Sequence, residues 1–530
     1  MRLKFPSPSF CNHPKTVSRS SNKPKATFTT AEWDFPVAAT LLGLCLIHAL
    51  WVASIGWNNT LNDHHSFRQT QTAITAYYLR EGGFRFDYET PVLGKPWSIP
   101  MEFPIYQEMV AKASSIFHTP LDQTGRFFSF ASFLLMLAPI CLLLARFNVK
   151  MPHRLALLAI ILTSPFYLFW SRTFLIETMV LFYCFAYLAC VSLALEKKSR
   201  WLQVLAVLFG IAASLTKITT WLPFLGCAGL MILWDWVRWP LQFPGRDELR
   251  RKLPTLLVYC GIPFLFAFWW VKYSDRLKAI HPLAYINTAA NSSKWNFGTL
   301  DQKLSGDVWS VIIGRACTVL GMPLPMWWLF FICVIVLGVT RRRWKEAGMC
   351  LFLFLLSPMV FTNLNYIHDY YMIANGVFLL GFFGFSVISL LEGKRTNIAG
   401  WAVLGAMLLT AFFGHSRIYL PVQQQPNEEI RKLADYVKSN TTSDGVIICL
   451  GFDWDPMVPY YSERRALMIP DWDTLTPSNV YNGLQSLRDC KVEALVVMEP
   501  HRYSLDLLQD QIKTLGYAPK LINVGGFPQR

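Results

Sequence analysis

The run FLIETMVLFYCFAYLACVSLAL, residues 174–195, carries one ionisable group, Glu177, near its start. A hydrocarbon core of about 30 Å is crossed by roughly 20 apolar residues of helix, so this run reads as a membrane span. A carboxylate inside a span costs about 2.5–3.5 kcal/mol or more, and by default it faces a cavity or a partner. Outward on one side, Ser171-Arg172-Thr173 separates the run from another at 155–170. On the other side Lys197, Lys198 and Arg200 lead into a run at 201–216 that ends on Lys217. Similar runs lie at 37–57, 127–147, 218–237, 253–271, 323–340, 347–361, 371–391 and 398–414, which makes about eleven spans. Those at 155–170 and 347–361 are short and need neighbours to complete them.

The whole composition agrees: 53% apolar and 16% charged over 530 residues belongs to a polytopic membrane protein rather than a string of soluble domains. The net charge of +15 would suit a nucleic-acid binder, but its distribution excludes that class. Basic residues gather before the first run and then in alternate loops: Arg146, Lys150 and Arg154; Lys197, Lys198 and Arg200; Arg238 to Lys252; Arg341, Arg342, Arg343 and Lys345. The positive-inside rule makes these loops cytoplasmic. The N-terminus is then inside and, after an odd number of spans, residues 421–530 are outside.

Residues 1–34, rich in Pro, Ser and Lys, are expected to be a disordered cytoplasmic tail. Residues 35–420 form the all-α membrane domain, with long outer loops at 58–125 and 272–322 whose helices are expected to lie on the membrane surface. From about 421 the pattern becomes that of a small α/β domain, with helices expected at 428–439, 478–488 and 505–515 and strands at 446–450 and 494–498. No glycine-rich phosphate loop follows either strand, so nucleotide binding there has little support.

Asp63, in Asp63-His64-His65-Ser66-Phe67-Arg68-Gln69 just beyond the first span, is placed to take a proton from an acceptor hydroxyl at the interface. Capping of a helix over 67–78 is the plainer role. His64 and His65 are weak candidates for a divalent metal site, because the remaining ligands are missing. Glu177 requires a cation, and Arg172 or Lys217 would serve. Lys217 stands where positive charge is otherwise sparse and suits a phosphate, with snorkelling to headgroups as the alternative. His368-Asp369-Tyr370-Tyr371 is either a phosphate- or sugar-contacting segment or an ordinary interfacial turn.

In their order these residues resemble the GT-C superfamily of polyprenyl-phosphate-sugar glycosyltransferases, in the branch of the protein O-mannosyltransferases and the lipid A aminoarabinose transferase. Asp63 falls at the first-loop acidic position, and Gly94-Lys95-Pro96, Glu102-Phe103-Pro104-Ile105-Tyr106 and Gly125-Arg126 resemble the loop motifs. Glu177 matches a second acidic position, usually aspartate, and Leu215-Thr216-Lys217 the donor-phosphate segment. The resemblance implies Asp63 and Glu177 as catalytic residues and Lys217, Arg68, Arg126 and Arg172 as binders of the donor phosphate. Glu102, His368, Tyr370 and Tyr371 would contact substrate. It also implies an inverting transfer, outside a bacterial inner membrane, from a polyprenyl-phosphate sugar to a lipid, glycan or protein hydroxyl. Rival readings are a transporter or flippase for a lipid-linked sugar, whose ionisable groups would lie near the midplane of two similar halves, and an oligosaccharyltransferase or polymer ligase.

Overall fold

In a computed structural model the chain is described at residues 30–233, 245–322, 327–425 and 428–524. It is mostly helical, with one small parallel sheet near the C-terminus. Six helices are long and apolar enough to cross a membrane by length and composition: Trp33–Ser54, Leu121–Arg146, Glu177–Lys197, Arg246–Ala279, Asp369–Leu391 and Asn397–Ile418. The other expected spans fall on shorter helices, Met151–Thr163, Arg200–Thr216, Ile218–Leu233, Trp327–Thr340 and Trp344–Val360. The run at 155–170 is broken at Ser164-Pro165, because proline has no N–H to continue the helical ladder. The Ser164 hydroxyl caps the new helix Pro165–Trp170 instead. Of the tail expected at 1–34, residues 1–29 lie outside the described residues, and the first helix already begins at Thr30.

The basic turns share one end of the bundle. Arg146 pairs with Glu196 at 2.9 Å, and Arg343 donates to the carbonyls of Phe147 (2.6 Å) and Asn148 (3.2 Å). The Glu177–Lys197 helix, about 30 Å long at 1.5 Å per residue, runs from the opposite end to this one. The opposite end carries the first loop and the C-terminal domain, joined where Asn59 donates to the Gln423 carbonyl at 3.0 Å.

The sheet contains β1 (Val446–Leu450), β2 (Arg465–Ile469), β3 (Val492–Val497) and β4 (Lys520–Asn523), all parallel, in the order β2-β1-β3-β4. The central strand Val-Ile-Ile-Cys-Leu is buried along its length, as a parallel strand covered on both faces must be. The edge at β2 is covered by the first loop. Ala466 N–H donates to Pro91 O (2.9 Å), Met468 N–H to Val92 O (2.8 Å) and Gly94 N–H to Ala466 O (3.0 Å). Gly94 has φ +82°, which a side chain would strain. Here Gly94-Lys95-Pro96 belongs to the docking seam.

One hydrophobic core therefore runs from Ala73, Ile74, Val92 and Leu93 of the first loop to Ile447 and Leu467 of the sheet. This corrects the expectation of a surface-lying helix after the first span. The helix Ser66–Gly82 is buried from Gln69 to Ala76, and its polar groups are satisfied locally. Thr70 donates to Ser66 O (2.8 Å), Thr72 to Arg68 O (3.0 Å), and Thr75 bonds Thr90 (2.9 Å). The second long loop forms the helices Ser293–Phe297, Leu300–Leu304 and Gly306–Leu320. Asn363 donates to Trp295 O at 2.8 Å and Arg315 to Asn365 O at 2.8 Å, which hold this loop against residues 359–368.

Candidate active site

Lys217 is the single extended residue between the helices Arg200–Thr216 and Ile218–Leu233. Glu177 is the first residue of its own helix, where free backbone N–H groups favour a carboxylate. The two side chains meet at 2.6 Å (Lys217 Nζ to Glu177 Oε1), with only 7% and 2% of their surfaces exposed. Lys217 is thus the cation that Glu177 required, and Arg172 is not. Its ammonium also sits 4.1 Å from the centre of the Tyr371 ring and 5.4 Å from that of Tyr370. Ring faces attract a cation without taking its hydrogen bonds, so Lys217 keeps N–H groups for a ligand.

Tyr370 continues the cluster toward the first loop. Its ring centre is 4.9 Å from that of His65, and His65 pairs with Asp369 at 2.7 Å. His368 lies 5.6 Å from His65, ring to ring, and 6.1 Å from Trp295 of the second loop. Burial, with His65, Lys217 and Arg68 nearby, pushes His368 down to about 4, so it is neutral near pH 7 and can accept or donate a hydrogen bond. Arg68 is paired with Glu102 across the first loop and also donates to Gln71. Phe103 N–H donates to Leu215 O at 3.1 Å, which seats the Glu102 segment beside Lys217.

Asp63 occupies the adjoining side of the same helix start. His65, at φ 52°, is the residue before that helix, and no side chain caps it. The Asp63 carboxylate instead accepts from Gln69 Nε2 and lies 3.5 Å from Arg172 Nη1. Gln69 Oε1 accepts from Phe174 N–H at 3.0 Å, three residues before Glu177, so one amide ties the Asp63 loop to the start of the Glu177 helix. Arg172 is fully buried and also donates to Gly56 O at 3.1 Å. Its guanidinium orients Asp63.

Arg126 departs from expectation. It is fully buried and donates to the carbonyls of Trp57 (2.8 Å), Asn59 (2.5 Å) and Thr60 (3.2 Å), so it shapes the entry to the first loop rather than reaching for phosphate. The glycine before it has a steric cause, because a Cβ on Gly125 would collide with the Phe174 ring. Among the described residues no three His, Cys, Asp or Glu side chains are grouped to hold a metal ion, and His65 is engaged by Asp369. Among the described residues no divalent-cation site is assembled around His64 or His65. Sequence reasoning named His65 as a metal candidate and Asp369 within a substrate-contacting segment, but it did not foresee their pairing and gave Gln69 no role.

Deeper between the helices, toward the basic end of the bundle, lies an apolar cavity that Phe147 and Glu346 help to line and that no residue of the cluster lines. Phe185 and Leu188 line it a few turns past Glu177, and Val377 and Phe378 line it shortly past Tyr371.

No family model matches the chain, and no curated protein matches it by sequence. Solved structures do match. ArnT from Cupriavidus metallidurans, bound to undecaprenyl phosphate, superposes with a TM-score of 0.58 at 12% identity, covering 85% of this chain and 88% of that one. The archaeal oligosaccharyltransferase AglB from Archaeoglobus fulgidus, in complex with an inhibitory peptide and a dolichol-phosphate, gives 0.55 at 11% identity, covering 91% and 68%. The chain has the GT-C fold. A GT-C fold hosts its chemistry in particular side chains, so the reaction has to be argued from the cluster itself.

Proposed function

We propose that this chain is a membrane glycosyltransferase that moves a sugar from a polyprenyl-phosphate donor to a hydroxyl group outside the cytoplasm. The observation that carries this reading is Lys217: a buried ammonium with one carboxylate partner and two aromatic faces, at one end of an apolar helix bundle. That arrangement suits a phosphate held at the membrane boundary. The structural neighbours with undecaprenyl phosphate and dolichol-phosphate support the same donor class.

In this reading the isoprenoid chain lies along the apolar helices and the phosphate displaces part of the Lys217–Glu177 contact. Arg68 adds a second positive charge. The acceptor oxygen attacks the anomeric carbon, the bond from that carbon to the phosphate oxygen breaks, and polyprenyl phosphate leaves on Lys217. Asp63, aligned by Gln69 and Arg172, takes the acceptor proton. One displacement inverts the anomeric carbon. Charge stabilisation by a fixed donor in a dry site typically contributes about 10²- to 10³-fold, and a placed base about 10²- to 10⁴-fold. His368, Tyr370, Tyr371 and Glu102 border the space left for the sugar.

The basic turns at the other end support a cytoplasmic N-terminus, with the C-terminal domain beside the active site on the outer face. A flippase has less support, because the ionisable cluster lies at one end of the bundle rather than at its middle. The test is transfer in proteoliposomes from a panel of polyprenyl-phosphate sugars. Asp63→Asn should lose at least about 100-fold in turnover while inserting normally. Wild-type turnover in that variant would remove Asp63 from the mechanism.

A further inference from the structure

The end of the bundle away from the active site holds a second feature that the transfer reaction does not use. The helices Trp327–Thr340 and Trp344–Val360 are joined by the turn Arg341-Arg342-Arg343. Beside that turn an open groove separates their outer faces. Leu337 and Gly338 line it from one helix, Gly348 and Leu351 from the next, and Phe382 from the Ile373–Leu391 helix.

Two glycines give the groove its width. Some glycines of this bundle permit close approach, as where a Cβ on Gly381 would meet Cys350 Sγ at 2.8 Å, on Gly384 the Leu157 side chain at 2.9 Å, and on Gly400 that of Leu391 at 2.8 Å, while others, among them Gly43, Gly226 and Gly405, face open space. A Cβ on Gly338 or Gly348 would meet nothing within 4 Å. Both positions leave width in the groove that no neighbouring helix fills.

Charge defines the mouth. Arg343 is engaged by Glu346, Glu392 and two carbonyls. Arg341, Arg342 and Lys345 are exposed, and none of them is in an ion pair among the described residues. Arg341 lines the groove itself, and Trp344 stands at the same rim, where indole rings favour the boundary between headgroups and chains. An apolar slot capped by unpaired cations matches an amphiphile with apolar tails and an anionic head.

We infer that this groove binds an anionic diacyl phospholipid of the leaflet at the basic end, with its acyl chains along Gly338 and Gly348 and its phosphate on Arg341. Arg342 and Lys345 supply the preference for net negative headgroups. This site is independent of the transfer reaction and lies at the far end of the bundle from Lys217.

The full chain, purified in detergent and mixed with equal amounts of phosphatidylglycerol and phosphatidylcholine, is examined by native mass spectrometry. Retention of phosphatidylglycerol should exceed that of phosphatidylcholine at least tenfold. The variant R341Q/R342Q/K345Q, altered only at exposed side chains, should lose that preference. The variant G338L/G348L should lose retention with its charges intact. Equal retention of the two lipids by the wild-type chain would overturn the inference, as would an undiminished preference in the charge variant. Displacement of phosphatidylglycerol by one equivalent of a polyprenyl phosphate would also overturn it, by assigning the groove to the donor. If G338L/G348L fails to fold, the charge variant and the lipid comparison still decide.

Discussion

The two ends of the bundle each hold a mostly buried basic residue, Arg343 at one and Lys217 at the other, and they use it in opposite ways. Arg343 bridges Glu346 (2.9 Å) and Glu392 and donates to two backbone carbonyls, so its planar fork is saturated. Lys217 has one carboxylate at 2.6 Å and two ring faces. Saturation makes a clamp between turns. In the proposed reaction a buried cation left partly unsaturated serves as a receptor for phosphate. The difference lies in the partners, since both residues carry the same charge and comparable burial.

The contrast is sharpest in a pair of variants. Lys217→Ala alone strands Glu177, and a lone buried charge costs about 3–5 kcal/mol of stability, so its loss of activity would be ambiguous. Lys217→Ala with Glu177→Gln should restore the thermal midpoint yet still lower single-turnover transfer about 10²- to 10³-fold. Recovery of transfer together with stability would make the pair structural and end the contrast. At the other end Arg343→Gln should do the reverse. The thermal midpoint should fall, for a loss of about 3 kcal/mol, while turnover of the folded fraction stays within about twofold of wild type; a large loss of turnover there would tie the clamp to catalysis.

A smaller effect is expected at the rings. Tyr371→Phe keeps the face that meets Lys217 and should retain donor affinity within a few-fold, whereas Tyr371→Ala removes a contact of about 0.5–2 kcal/mol and should weaken it by about twofold to thirtyfold. Equal losses in both would assign the role to the hydroxyl.

A separate effect is a pH dependence in the C-terminal domain. Burial raises Asp455 to about 7, with Asp453 adding to the rise, and raises Asp453 to about 6. An unfolded aspartate has a pKa of about 3.9, so between roughly pH 4 and 7 the folded chain holds more protons. The stabilisation is fully present below the unfolded value and is lost as pH rises through about 7. From pH 5 to 8 the thermal midpoint of the wild-type chain should therefore drop relative to that of Asp455→Asn. An identical slope in both would exclude this carboxyl.

The apolar runs were legible because span length is set by the bilayer, and the order of Asp63, Glu177 and Lys217 pointed to a fold that the structure bears. Other features were hidden for physical reasons. The buried helix Ser66–Gly82 reads as polar, because Thr70, Gln71 and Thr75 bury side chains that bond locally and Gln69 one that bonds to the distant Phe174 backbone. Strand β2, Arg-Ala-Leu-Met-Ile, lacks alternation and uses helix-forming residues, and β4 is four residues long, so neither carried a strand signal. Arg126 looked like a phosphate ligand because its partners are backbone carbonyls, which leave no mark in a sequence. His65 and Asp369 are remote in the chain, and only the fold pairs them.

The central claim is that Lys217 holds the donor phosphate, and the most direct measurement is equilibrium binding of a short polyprenyl phosphate, farnesyl phosphate, to the purified full chain. The double variant of Lys217 and Glu177, with its thermal midpoint restored, should bind at least about tenfold more weakly than wild type, while Arg343→Gln binds as wild type does. Equal affinity in the double variant and the wild-type chain would contradict the claim.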